Sequence, residues 1–139
     1  MTINMSSPWW MRDSAFAYIM GAAEAAGSDP QELYRMKCAV SYNFGVADIV
    51  PQARVKQTLR CFTGRGRPVV DASEGKRGQA FLGAIEIAQL FIPGLRDFER
   101  GVPTPLCHAS LEITEKFRVE NFIRIQRRRT RKARRLAPT

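Results

Sequence analysis

Apolar residues recur every three or four positions over most of this chain and every second position near its C-terminal end, a pattern that predicts helices followed by a strand. Ser7-Pro8 reads as an N-cap and first helical position, followed at helical spacing by Trp9, Phe16, Ile19, Met20, Ala23 and Ala26 and stopped by Gly27. Trp9 and Trp10 fit either as core anchors or as an exposed binding handle. Ser28-Asp29-Pro30 begins a second helix, with Asp29 and Glu32 spaced as a capping box. Leu33, Met36, Val40 and Phe44 form its buried face, and Gly45 closes it. Pro51 opens a third helix over 51–62, with Val55, Leu59 and Phe62 as its apolar stripe. Gln52, Lys56 and Arg60 line up four apart on the other side, with Arg54 and Gln57 nearby.

From Gln79 to Ile92 the chain is apolar apart from Gln79, Gly83, Glu86 and Gln89, which predicts the most buried helix, ended by Pro93-Gly94. Gly83 suits a close crossing. Leu95 to Arg100 adds a helical turn, and Gly101-Val102-Pro103-Thr104-Pro105 reads as a rigid linker. The period then changes. Ala109, Leu111, Ile113, Phe117, Val119, Ile123 and Ile125 are separated by polar residues, the alternation of a half-buried strand, either bent or turning as a hairpin near Glu115-Lys116. The expected fold is therefore mostly α with minor β. It is a small, helix-turn-helix-like domain over 1–123, with a β-hairpin or bent strand near 109–125 and a basic C-terminal helix or tail over 124–139.

Charge sharpens this picture. The chain carries 22 Lys+Arg against 13 Asp+Glu, a net of +9. Arg124, Arg127, Arg128, Arg129, Arg131, Lys132, Arg134 and Arg135 crowd the last sixteen residues without one acid. On a helix, Arg124, Arg127, Arg128, Arg131, Lys132 and Arg135 share one face, a rail of guanidinium groups suited to phosphate. A second acid-free stretch, Ile49 to Val70, holds Arg54, Lys56, Arg60, Arg65 and Arg67. The remainder has nine basic residues against 13 acids, so an acidic body carries two basic segments. That segregation points to a polyanion, with nucleic acid ahead of an anionic membrane surface. Arginine also suits the task better than lysine, because its planar fork meets phosphate with two hydrogen bonds.

Between the basic positions lies Thr63-Gly64-Arg65-Gly66-Arg67-Pro68. Its residues Arg65 to Pro68 resemble the core of the AT-hook, a short peptide that lays two arginines along an A·T-rich minor groove. The resemblance covers these four residues and implies that Arg65 and Arg67 enter such a groove. The basic and proline flanks of that family are replaced here by Val69, Val70 and Asp71. The same residues also read as a hairpin or winged-helix loop, with Thr58 to Phe62 partly extended and Val69-Val70 as the return strand. Either way Arg65 and Arg67 are exposed to phosphate.

Other chemistry finds little support. Cys38, Cys61 and Cys107 are odd in number and widely spaced, as expected of reduced, buried thiols rather than a disulfide framework. The single histidine, His108, is next to Cys107, and on a strand these neighbours point to opposite faces. No metal-ligand cluster or carboxylate motif is present, and Gly75-Lys76-Arg77 lacks the hydroxyl and the glycine frame of a P-loop. The longest greasy run is too short to span a bilayer, and the N-terminus lacks the basic lead of a signal peptide. The sequence thus predicts a non-enzymatic nucleic-acid-binding protein without cofactor or metal, cytoplasmic or nucleoid-associated (nuclear in a eukaryote), with duplex DNA ahead of RNA. Its expected role is a regulator of transcription or replication, compatible with a homodimer. The bases would be read by Gln52, Lys56, Gln57 and Arg60, and phosphate would be held by the arginine tail. The alternatives are a structural component of a ribonucleoprotein or virion particle, an adaptor or inhibitor that binds an acidic protein surface, and a metal-dependent nuclease whose Asp and Glu ligands come together from distant positions.

Overall fold

The structure, a computed structural model, describes residues 7–42, 48–71, 75, 78–122, 124 and 131–132. The first two helices fall within the segments where the apolar pattern places them, each shorter than expected. Helix α1 (Asp13–Ala26) buries Phe16, Ile19, Met20 and Ala23, one stripe at steps of three and four. It ends at Gly27, whose φ of 63° lets the N–H of Ser28 turn back to the Ala23 carbonyl at 2.9 Å. Helix α2 (Pro30–Cys38) starts on Asp29, whose carboxylate accepts from the Gln31 N–H at 2.8 Å, with Pro30 in the first turn. Asp29→Ala removes that cap and should lower stability by about 1 kcal/mol; an unchanged urea midpoint would contradict the assignment.

The mostly helical, helix-turn-helix-like expectation does not hold. Among the described residues there are three α-helices and nine strands, the strands forming four small sheets. Residues expected to open the first helix instead form β1 (Trp9–Met11), where the Trp10 indole donates to the Ser7 carbonyl at 2.7 Å. The expected third helix over 51–62 is replaced by β2 (Ile49–Val55), a loop, and β3 (Phe62–Gly64). Ile49, Val50 and Val55 are β-branched and favour a pleated surface over a helix. The chain returns through β4 (Val69–Asp71) and β5 (Gln79–Phe81), an antiparallel pair.

The apolar run Gln79 to Ile92 is not a helix either. It leaves β5, loops, and re-enters a sheet as β6 (Gln89–Phe91). Its polar groups are spent on the end of α2. The N–H groups of Gly83 and Ala84 bond the carbonyls of Met36 and Lys37 at 3.3 and 2.8 Å, and the Gln89 side chain bonds that of Cys38 at 2.6 Å. Those carbonyls would otherwise be orphans of the last helical turn. Here α2 stops at Cys38, with Ala39 in the left-handed region, rather than running on to Gly45. Phe44 and Gly45 lie outside the described residues. Met36, expected inside, is exposed, while Arg35 is buried.

Leu95 to Pro105 forms a small hairpin of β7 (Arg96–Asp97) and β8 (Val102–Pro103), not a helical turn and linker. Thr104 then caps α3 (Pro105–Ser110), accepting from the Cys107 N–H at 3.2 Å. The predicted strand follows as β9 (Leu111–Arg118), with Leu111 buried and Ile113 and Phe117 half-buried. It passes through Glu115-Lys116 without a hairpin turn and pairs antiparallel with β2, with a register shift where Gln52 faces Glu115 and Ala53 faces Ile113. Ala109 belongs to α3, Val119 to a 3-10 turn over Val119–Asn121, and Ile123 and Ile125 lie outside the described residues.

Two apolar clusters hold these pieces. Phe16, Ile19, Met20, Cys38, Ile87, Val119 and Phe122 form the larger, and Ile92, Leu95, Cys107 and Leu111 the smaller. The three-stranded sheet, in the order β1-β6-β3, contributes to both. Met11 packs on the first cluster and Trp10 on the second.

Candidate nucleic-acid interface

Folding divides the basic residues of the 49–70 segment into two groups. The first is occupied within the protein. Gln52 donates to both carboxylate oxygens of Asp13 at 2.9 Å, and Arg54 pairs with Glu112, its Nε at 3.1 Å from Oε2. Register explains the second pair, because β9 sets Glu112 opposite Arg54 and Glu115 opposite Gln52. Lys56 donates to the His108 carbonyl at 2.9 Å, and Gln57 to the Ser110 hydroxyl at 2.7 Å. The helical face expected to align Gln52, Lys56, Gln57 and Arg60 is therefore not formed. The helix that would align them is a strand and loop, and three of the four side chains are turned to internal partners.

The second group is open. Arg60, Arg65 and Arg67 are exposed, and none has an ion pair with a described residue. Arg60 precedes β3 by two residues and Arg65 follows it directly, so the two bracket that strand. Gly66, between Arg65 and Arg67, is pressed into the protein. A Cβ built there would lie 2.4 Å from the Cys38 carbonyl oxygen and 2.6 Å from Gln89 Nε2. An AT-hook needs that glycine backbone on the floor of a minor groove. Here it lies against the end of α2, which leaves only the two flanking guanidinium groups to meet a ligand.

In the tail, Arg124, Arg131 and Lys132 have helical backbone and are exposed. Residues 125–130 between them lie outside the described residues. Arg127, Arg128 and Arg135, the other members of the expected rail, lie outside the described residues.

An aromatic row also appears that the sequence reading did not assemble. Trp9 on β1, Phe91 on β6 and Phe62 on β3 are directly opposite one another across the sheet. The ring centroids of Trp9 and Phe91 are 4.8 Å apart, and those of Phe91 and Phe62 are 6.5 Å apart. Trp9 is 59% and Phe62 70% exposed, whereas Phe91 between them is half-buried. The visible signal is the Trp9-Trp10 pair, which on a strand must split between two faces.

The remaining chemistry is structural. Arg35, 1% exposed, donates to the Ser41 carbonyl at 2.9 Å and stacks over the Tyr42 ring at 4.4 Å. Buried Asp71 accepts from the Tyr42 N–H, and the Tyr42 hydroxyl donates to Glu32. That bond to a carboxylate is the main cause lifting the Tyr42 hydroxyl to about 12. Burial alone raises the Cys38 thiol to about 12 and also raises Cys107, so neither is a nucleophile near neutral pH. Cys61 is exposed, contrary to the expectation of three buried thiols. An open groove of about 480 Å³ borders Arg12, Tyr18, Thr63 and Leu90, but its carboxylate, Glu86, is engaged by Lys37. Among the described residues no three His, Cys, Asp or Glu side chains gather as metal ligands, and no helix is long and apolar enough to cross a membrane. No protein-family model, curated protein or solved structure matches the chain.

Proposed function

We propose that this chain is a nucleic-acid-binding protein that grips phosphate with two separate sets of cations. One observation carries the reading: Arg60, Arg65 and Arg67 on one segment, and Arg124, Arg131 and Lys132 on the other, are exposed with no ion pair to a described residue. Arg54, by contrast, is ion-paired with Glu112 at the surface. In a protein whose other parts carry more acids than bases, cations with no ion pair to a described carboxylate form local positive fields that attract a polyanion. Binding of this kind depends on counterion release and carries no recognition helix.

The test is a salt titration of the full-length protein on duplex and single-stranded probes. Six neutralised phosphates give a slope of log K against log salt of about −5 on duplex and about −4 on single strands. Replacing Arg60, Arg65 and Arg67 together by Gln should make the slope shallower by roughly 2 to 3, and the same holds for Arg124, Arg131 and Lys132. A wild-type slope near zero removes the proposal. A shallow slope confined to the tail variant would restrict the contact surface to the arginine-rich end.

A further inference from the structure

We propose that the row Trp9, Phe91 and Phe62 is a base-stacking platform, and that the nucleic acid this protein prefers is single-stranded. The inference rests on the nucleic-acid reading above and specifies its ligand.

The first argument is the contrast between neighbours. Trp10 packs on the smaller core and ties its indole N–H to Ser7, whereas Trp9 leaves most of its surface in water beside Phe62. Two large rings exposed together on one short sheet form a patch that a folded protein ordinarily covers. The second argument is charge. The strands read Trp-Trp-Met, Phe-Thr-Gly and Gln-Leu-Phe, with no acid among them, and the open cations Arg60 and Arg65 stand at the two ends of β3. Flat π-faces bordered by exposed guanidinium groups that have no ion pair to a described residue complement a chain of bases joined by phosphates, since the rings meet bases and the arginines meet the backbone. A purely apolar protein partner would gain nothing from those two charges.

The third argument decides the strandedness. Bases in a duplex already stack on one another and offer only their edges, so rings in a flat sheet cannot reach their faces. Bases in a single strand can splay out onto neighbouring rings. Successive strands are about 4.8 Å apart. Trp9 and Phe62, two strands apart with Phe91 between them, therefore offer two exposed stacking positions bridged by a third ring. Stacking is tolerant of base identity, so the expected preference is for unpaired strands rather than for a sequence.

The experiment measures binding of full-length wild type, Trp9→Ala, Phe62→Ala and Phe62→Tyr to a twelve-nucleotide oligo-dT, an oligo-U of equal length and a blunt duplex. Each alanine variant should weaken single-strand binding roughly 5- to 100-fold and leave duplex binding and the salt slope unchanged. Phe62→Tyr, which keeps a ring, should bind like wild type. Tryptophan fluorescence should fall when wild type takes up oligo-dT, and this quench should vanish in Trp9→Phe, because the internally bonded Trp10 does not stack. Comparable melting temperatures for all variants tie the losses to the surface rather than to the fold. Unchanged single-strand affinity in both alanine variants, with duplex and single strands still bound in a salt-dependent way, overturns the platform and leaves the phosphate reading standing. Binding of neither nucleic acid by wild type overturns both. If the alanine variants instead convert a dimer to a monomer in sedimentation and bind oligo-dT normally, the row is a self-association surface and the proposal is wrong.

Discussion

Gly83→Ala should unfold this protein more readily than almost any other single-methyl substitution, lowering stability by roughly 2–5 kcal/mol. Two costs add. Gly83 has φ +70°, and a side chain in that left-handed region costs about 1–2 kcal/mol. The new Cβ would also lie 2.4 Å from the carbonyl oxygen of Gly66 and 3.2 Å from its carbonyl carbon, both backbone atoms that no rotamer change can move. Overpacking of that kind costs roughly 1–3 kcal/mol. Relief is blocked on both sides. Gly83 is held to α2 through the Met36 carbonyl, and Gly66 lies against the carbonyl of Cys38. Thermal unfolding should therefore begin about 8–20 °C lower. Gly21→Ala is the matched control. It lies within α1 with nothing within 4 Å of the added methyl, so it should stabilise by about 0.5–1 kcal/mol. If the two variants melt together, the crossing of the 66 and 83 segments is misplaced.

That crossing also explains where sequence reasoning succeeded and where it stopped. The stripe of α1, its Gly27 terminus and the Asp29-Pro30 start of α2 were legible because each depends on residues within about one turn of itself. The alternation over 111–118 was legible for the same reason, since burial on one face of a strand is written every second residue. The run from Gln79 to Ile92 was not. Its apolar residues fit a helix well, and the competing arrangement depends on carbonyls of α2 more than forty residues away, which accept from Gly83, Ala84 and Gln89. Gly83 was marked as a place for close approach, but the partner is the Gly66 backbone and not a second helix. Helix α3 was hidden by its prolines. Pro105 reads as a linker until Thr104 is seen to cap the turn that it starts.

The candidate site divides in the same way. That Arg60, Arg65 and Arg67 would be open followed from charge, since they sit in a stretch, Ile49 to Val70, that holds no acid. That Arg54 would be closed did not follow, because Glu112 reaches it only through the pairing of β2 with β9. A charge tally along the chain overstates the basic surface wherever a strand is zipped to an acidic neighbour. Phe62 shows the converse error. At i, i+4 and i+7 with Val55 and Leu59 it looked like core, yet a strand ends at Val55 and another begins at Phe62, and both of those residues are exposed. Only Leu59 of the three reaches a core cluster.

Phe122→Ala is expected to cost about 3–5 kcal/mol, the usual range for removing a buried phenyl ring. The ring is 2% exposed. It meets Phe16 edge-on at a centroid distance of 4.8 Å and Phe117 at 5.2 Å, so the deletion leaves a void between α1 and β9 that neither rigid element can close. Phe98→Ala, which removes a 73% exposed ring, should change stability by no more than about 0.5 kcal/mol. The consequence extends to binding, because Phe122 lies two residues before Arg124, the first cation of the C-terminal set. Val119 and Phe122 are part of the larger core, which anchors the chain just ahead of Arg124. Loosening this anchor should make the tail cations behave as a tether. Under conditions where Phe122→Ala remains folded, its salt slope should match wild type, because no charge is lost, while its affinity falls through the added freedom of the tail. Equal affinity in the two proteins would show that the tail contributes charge without needing a fixed position, and a stability equal to wild type would show that Phe122 is not part of the core.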